Sequence, residues 1–148
     1  MSLKKRLIAV GITSTLMSGT AYAHEDVKNE AVKARMMAMG KMGGSMKLLG
    51  GMMKGQVEFD AAQAQMAVQT IQDMAAKTPA LFKMPEMDPK SEATLSIWDN
   101  YHDFVLKAQT LEQAAGAVKA SITSASDLDA VMNALGKNCK SCHSNYKK

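Results

Sequence analysis

The chain has 148 residues, of which 47% are hydrophobic, 22% charged and 5% aromatic, a composition that points to one globular domain and excludes a disordered chain or a two-domain enzyme. Its formal charge of +4 comes from 18 basic and 14 acidic residues, but Lys4, Lys5 and Arg6 stand in what reads as a removable leader; without them 15 basic groups face 14 acidic ones, too small an excess to neutralise nucleic-acid phosphates. Two cysteines are too few for a disulfide framework and enough for one local site.

Residues 1–23 carry the pattern of a secretory signal: a charged start at Lys4 to Arg6, a mostly apolar run from Leu7 to Met17, and a small-x-small cleavage site at Ala21-Tyr22-Ala23. The alternative, an N-terminal membrane anchor, falls short of the ~20 apolar residues a spanning helix needs. The expected product is a mature domain over residues 24–148, beginning at His24, in the periplasm and without membrane insertion.

Four helices are predicted in the mature chain. The first runs from Val27 to about Lys54, free of proline and rich in Ala, Met, Lys and Leu. Its apolar positions Val32, Met36, Met39, Met42 or Gly43, and Met46 recur at steps of three and four. Five glycines between Gly40 and Gly51 are costly there, which predicts either close approach of a bulky partner or a frayed or kinked end near Gly50-Gly51. Asp60 is the expected N-cap of a second helix ending at Lys77, stopped by Thr78-Pro79, with Ala64, Ala67 or Val68, Ile71, and Met74 or Ala75 inward. The segment from Pro79 to Pro89 holds all three prolines and reads as a crossing loop, with Leu81, Phe82 and Met84 available to tuck under the bundle.

The third helix is expected from near Ser91, with an unbroken seam of Ile97, Tyr101, Phe104, Ala108, Leu111, Ala115, Val118 and Ile122. Ser126 or Asp127 caps a fourth whose inward face runs Leu128, Val131, Leu135, Cys139, Cys142 and Tyr146. No stretch alternates as a strand does. The predicted fold is all-α, an antiparallel up-down-up-down four-helix bundle.

Cys139-Lys140-Ser141-Cys142-His143 is a C-x-x-C-H motif, in which two thiols add to the vinyl groups of a haem and the adjacent imidazole binds its iron. On a helix the two cysteines lie one turn apart on one face, and His143 follows four residues after Cys139, so anchors and ligand converge. One haem c, attached through two thioethers, is therefore the expected cofactor. Two alternatives compete. A thioredoxin-type thiol pair wants a preceding strand that this chain lacks, and a zinc site would have to draw on His24 and His102 for further ligands.

With this motif at the end of a small exported bundle, the chain resembles the class II cytochromes c, the cytochrome c prime family. The resemblance spans essentially the whole mature chain. It rests on Ala31-Val32-Lys33-Ala34-Arg35, Lys54-Gly55, Phe59-Asp60, Ile97-Trp98, the haem motif and Tyr146. The family divides on whether the position facing the iron is an apolar residue, leaving a five-coordinate, gas-binding site, or a methionine, as in the low-spin cytochrome c-556 branch. Four residues beyond the family's arginine, here Arg35, stands Met39, so the resemblance implies His143 and Met39 as metal ligands. From the residues alone, seven methionines crowd the first helix, a stripe at helical spacing is ordinarily adaptable core filling, and Met36 and Met42 are register neighbours for the same role.

The resemblance further implies that Arg35 binds a haem propionate, against the alternative of a solvated helix-face charge. Phe82 and Trp98 are expected near the macrocycle, or simply in the core. Lys147 stands where high-spin relatives usually carry an arginine. His102 is expected as a surface or half-buried imidazole.

The function expected is single-electron transfer between redox partner proteins, since an iron with both axial positions filled changes oxidation state with little rearrangement. Lys137, Lys140, Lys147 and Lys148 are placed to steer an acidic partner. Homodimers through the first two helices occur in the resembled family. The rival is a five-coordinate protein binding nitric oxide or carbon monoxide, and a third possibility is copper handling by the thioethers. No acid-base or nucleophilic constellation suggests an enzyme.

Overall fold

The computed structural model describes residues 27–148; the expected leader, its cleavage site and His24 lie outside them. Asn29 starts the first helix by accepting the Val32 amide at 3.0 Å, three residues later than the expected start, and α1 runs Glu30–Met53. It stays helical through Gly50-Gly51. The glycine there is needed for a close approach: a Cβ on Gly51 would sit 3.0 Å from Val57 Cγ2, where the chain folds back. Gly55 makes that reversal with φ of 67°, and the Lys54, Gly55 and Gln56 amides bond back to Gly50, Met52 and Gly51.

Asp60 caps α2 as expected, accepting the Gln63 amide at 2.8 Å, but α2 spans Ala61–Leu81 and contains Pro79. Proline is tolerated because it stands in the last turn, where other elements take over the exposed carbonyls. Tyr101 donates its hydroxyl to the Pro79 carbonyl and Arg35 donates Nε–H to that of Leu81, while the Phe82 amide still reaches Thr78. Of the expected tucked residues, Phe82 is buried and Met84 is exposed.

The third predicted helix is two. Residue 91 lies in the loop; a single turn, α3 Ser96–Asp99, is followed by α4 Tyr101–Lys119, and Asn100 breaks the two with φ −126° and ψ 40°. The seam residues Ile97, Phe104, Ala108, Leu111, Ala115 and Ile122 are nevertheless buried, the last of them just beyond the helix. Of the two expected caps of the final helix, Asp127 holds the N-cap position but makes no side-chain bond to that helix; Ser124 caps the turn that precedes it. A 3-10 turn, Ala125–Asp127, leads into α5 Leu128–Tyr146, with Ser124 and Asp127 satisfying one another's backbones.

Four hydrogen bonds, led by the Thr123 and Ser124 amides, hold the Asp127 carboxyl at about 2, down from 3.8. A depressed acid stabilises the fold above its unfolded value and loses that contribution as the pH falls through the folded one. Asp127→Ala is therefore expected to lower the melting temperature at neutral pH and to flatten the stability loss between pH 3.8 and about 2. Circular-dichroism melts of both proteins across that range test it; parallel curves would contradict the capping role.

Around the bundle α1 packs on α2, α2 on α4, α4 on α5 and α5 back on α1, in up-down-up-down order. Among the described residues there is no strand, only an isolated bridge between Ala93 and Lys147, and no helix is long and apolar enough to cross a membrane. The core has two parts. The larger, built around Leu49, Val68, Ile71, Leu128, Val131 and Leu135, fills the bundle. The smaller gathers Phe82, Ile97, Phe104 and Tyr146 near the end that carries the C-x-x-C-H motif. Met39 packs against both.

Candidate cofactor site

The register of α5 is set by Leu128, Val131 and Leu135, all buried, and the same stripe continues into Cys139, Cys142 and Tyr146. Both cysteines are thereby turned inward as half-buried free thiols. Burial raises both thiol pKa values, that of Cys142 to about 11 although Lys107 pulls the other way. They also stand in the last turns of a helix, where its dipole disfavours a thiolate. A redox-active dithiol needs the opposite environment, so the thioredoxin-type alternative finds no support here.

His143 is pushed below the ordinary imidazole range by burial first and by Lys147 second, with Glu92 opposing. The ring is otherwise exposed on α5, and the shift favours its neutral form, the one that donates a lone pair to a metal. Among the described residues no three His, Cys, Asp or Glu side chains gather into a group that would hold a bare metal ion. His102 is exposed, as expected, and the zinc alternative lacks its ligands within the described chain.

Two adjoining cavities of about 380 and 220 Å³ open beside the motif, within the size range of small-molecule sites. Cys142, His143 and Met39 border both. Met36 borders the larger alone, with Arg35, Phe82 and Phe104. Met42 and Met46 border the smaller alone, with Gly43, Thr78, Lys107 and Cys139. The stripe of thioethers on α1 thus divides by register, and Met39 is the one that spans the division.

Arg35 is not a solvated charge. It is 2% exposed and donates to three carbonyls, one at the end of α2 and two in the loop after it: Nε to Leu81 at 2.8 Å, and the two terminal nitrogens to Met84 and Glu86 at 2.6 Å each. Those bonds use three of its five N–H groups. Its guanidinium lies 4.8 Å from the Phe82 ring centre and 5.4 Å from that of Trp98. Trp98 therefore braces Arg35, and its indole N–H donates to the Phe82 carbonyl at 2.8 Å, whereas Phe82 itself lines the larger cavity.

The end of α5 is tied to α4 by Tyr146, whose hydroxyl donates to Asp103 at 2.6 Å. Burial and that carboxylate push the phenol to about 12, so it remains a donor at any working pH. Sequence reasoning missed the loop residues Ser91, Glu92 and Ala93 that line the larger cavity. No local pattern marks them, because they reach the site only when the loop folds against the C-terminus.

A family model described as cytochrome C' matches residues 30–147, a span that includes Arg35, Met39 and the whole motif. The chain belongs to the cytochrome c' family. Among relatives within it, cytochrome c-556 of Agrobacterium fabrum is 34% identical over 144 residues, covering 97% of this chain and 94% of that protein. The structure of Rhodopseudomonas palustris cytochrome c' superposes with a TM-score of 0.74 at 28% identity, covering 82% of this chain and 98% of the other. An NMR-validated model of oxidised cytochrome c556 from R. palustris also gives 0.74, at 26% identity and 80% and 96% coverage. Equal scores mean that the backbone of a cytochrome c' does not separate the two kinds, and the distinction rests on individual side chains.

Proposed function

We propose that the protein is an exported, periplasmic monohaem c-type cytochrome that carries single electrons between redox proteins, with one haem c joined to Cys139 and Cys142 and its iron held by His143 and Met39. The donor set suits that group: two inward thiols one helical turn apart, a neutral imidazole beside them, a thioether on the neighbouring helix and apolar walls. The group supplies a one-electron ferric/ferrous couple. What carries the ligation is the position of Met39, which with Cys142 and His143 borders both cavities.

The chain's own residues do the rest. Cys139 and Cys142 would hold the cofactor to α5, and His143 and Met39 would offer ligands from two helices that pack on one another. Arg35 retains N–H groups for an anionic propionate and is itself immobilised by the Leu81, Met84 and Glu86 carbonyls. Phe82, Ile97 and Phe104 keep water from one wall. Lys137 and Lys140, exposed on α5, steer an acidic partner into a small, short-lived interface.

Absorption spectra of the protein from its native host test this. The expected spectra are low-spin in both oxidation states and indifferent to carbon monoxide, with a one-electron redox titration. A broad high-spin spectrum that shifts with the gas would instead establish the five-coordinate, gas-binding alternative. Colourless protein with alkylatable thiols would refute both.

A further inference from the structure

The end of α5 is stapled to the loop that precedes α3. The Thr94 amide donates to the Tyr146 carbonyl at 3.0 Å, the Lys148 amide to that of Glu92 at 2.8 Å, and the Ser96 hydroxyl to that of Asn145 at 3.0 Å. Ala93 and Lys147 pair antiparallel between them. This short ladder brings the Glu92 carboxylate to 2.9 Å from Lys147 Nζ. Both residues line the larger cavity together with Cys142 and His143.

The two side chains are 63% and 44% exposed, respectively, so the pair adds little to stability. Its location gives it another effect. A cation beside an iron ligand favours the reduced, less positive centre, and an anion favours the oxidised one; Glu92 and Lys147 carry opposite charges on the cavity wall that His143 shares.

We propose that Glu92 is a positioning residue for the redox centre: held by the ladder, its carboxylate neutralises Lys147 beside His143, and the pair keeps the reduction potential between the values either charge alone would impose. The inference deepens the haem ligation proposed above and rests on it. Glu92 acts through its partner on the tail, Lys147, to which the ladder holds it.

The test is potentiometric titration of purified holoprotein at low ionic strength. Glu92→Gln is expected to shift the reduced-to-oxidised ratio at fixed potential about threefold towards reduced, and Lys147→Met about threefold towards oxidised. The double variant should return close to wild type, Lys147→Arg should match it, and high salt should shrink both single shifts. A purely structural role would move both single variants the same way. Shifts of one sign, or none, in variants that keep the wild-type spectrum and haem content overturn this inference alone. Wild-type protein without haem overturns the proposed function and this inference with it.

Discussion

Met39→Ala is expected to convert the protein from low-spin to high-spin in both oxidation states and to open it to carbon monoxide, whereas Met36→Ala and Met42→Ala keep the wild-type spectrum. The three residues are chemically identical and sit within two turns of α1, so composition cannot rank them. Packing does. Met36 borders one cavity and Met42 the other, while Met39 borders both in company with His143 and Cys142. Loss of the thioether should also lower the reduction potential, because a sulfur ligand stabilises the reduced iron. Spectra with and without carbon monoxide, followed by redox titration, read the outcome. An unchanged low-spin Met39→Ala protein would remove Met39 from the ligand set.

The second large effect is on stability. Arg35→Ala deletes the common donor of the Leu81, Met84 and Glu86 carbonyls and leaves the Phe82 and Trp98 rings facing a gap. Bonds from a charged donor contribute about 1.5–3 kcal/mol each and are not additive here, so the total cost is on the order of 3–5 kcal/mol. An exposed helix-face arginine would cost at most about 0.5 kcal/mol. Arg35→Lys should recover less than half, since one ammonium on a flexible stem cannot reproduce a planar fork aimed at three acceptors. Midpoints of chemical unfolding at constant slope measure the difference. A loss below about 1 kcal/mol would mean that the loop is held by something else.

These two side chains mark where local pattern stops being informative. At Arg35 a helical charge among apolar neighbours reads as solvated or as a ligand contact with equal ease. Its actual burial follows from the carbonyls it serves at the end of α2, Leu81, and in the loop that follows, Met84 and Glu86, brought to it from 46 to 51 residues away. At Pro79 the local rule ends a helix, since the ring removes an amide and crowds the preceding turn. Donors from α1 and α4 serve the last carbonyls and carry α2 on to Leu81. Asn100 does the reverse: the apolar seam passes through it without interruption, yet the backbone breaks there. A stripe of burial can be continuous where the helix beneath it is not.

What the sequence by itself determined is what depends on neighbours along the chain: the all-helical pattern, the Asp60 cap, the inward face of α5 and the C-x-x-C-H spacing that sets both thiols on that face. These follow from the 3.6-residue period and from side chains that reach no further than one turn. Only the tertiary structure decided which methionine spans the two cavities, why Arg35 is buried, and that Glu92 stands beside Lys147. Each of these depends on distances between segments 46 to 55 residues apart or on the join between two apolar clusters. Such distances are fixed by how the helices close around the core, and no periodicity within a single helix encodes them.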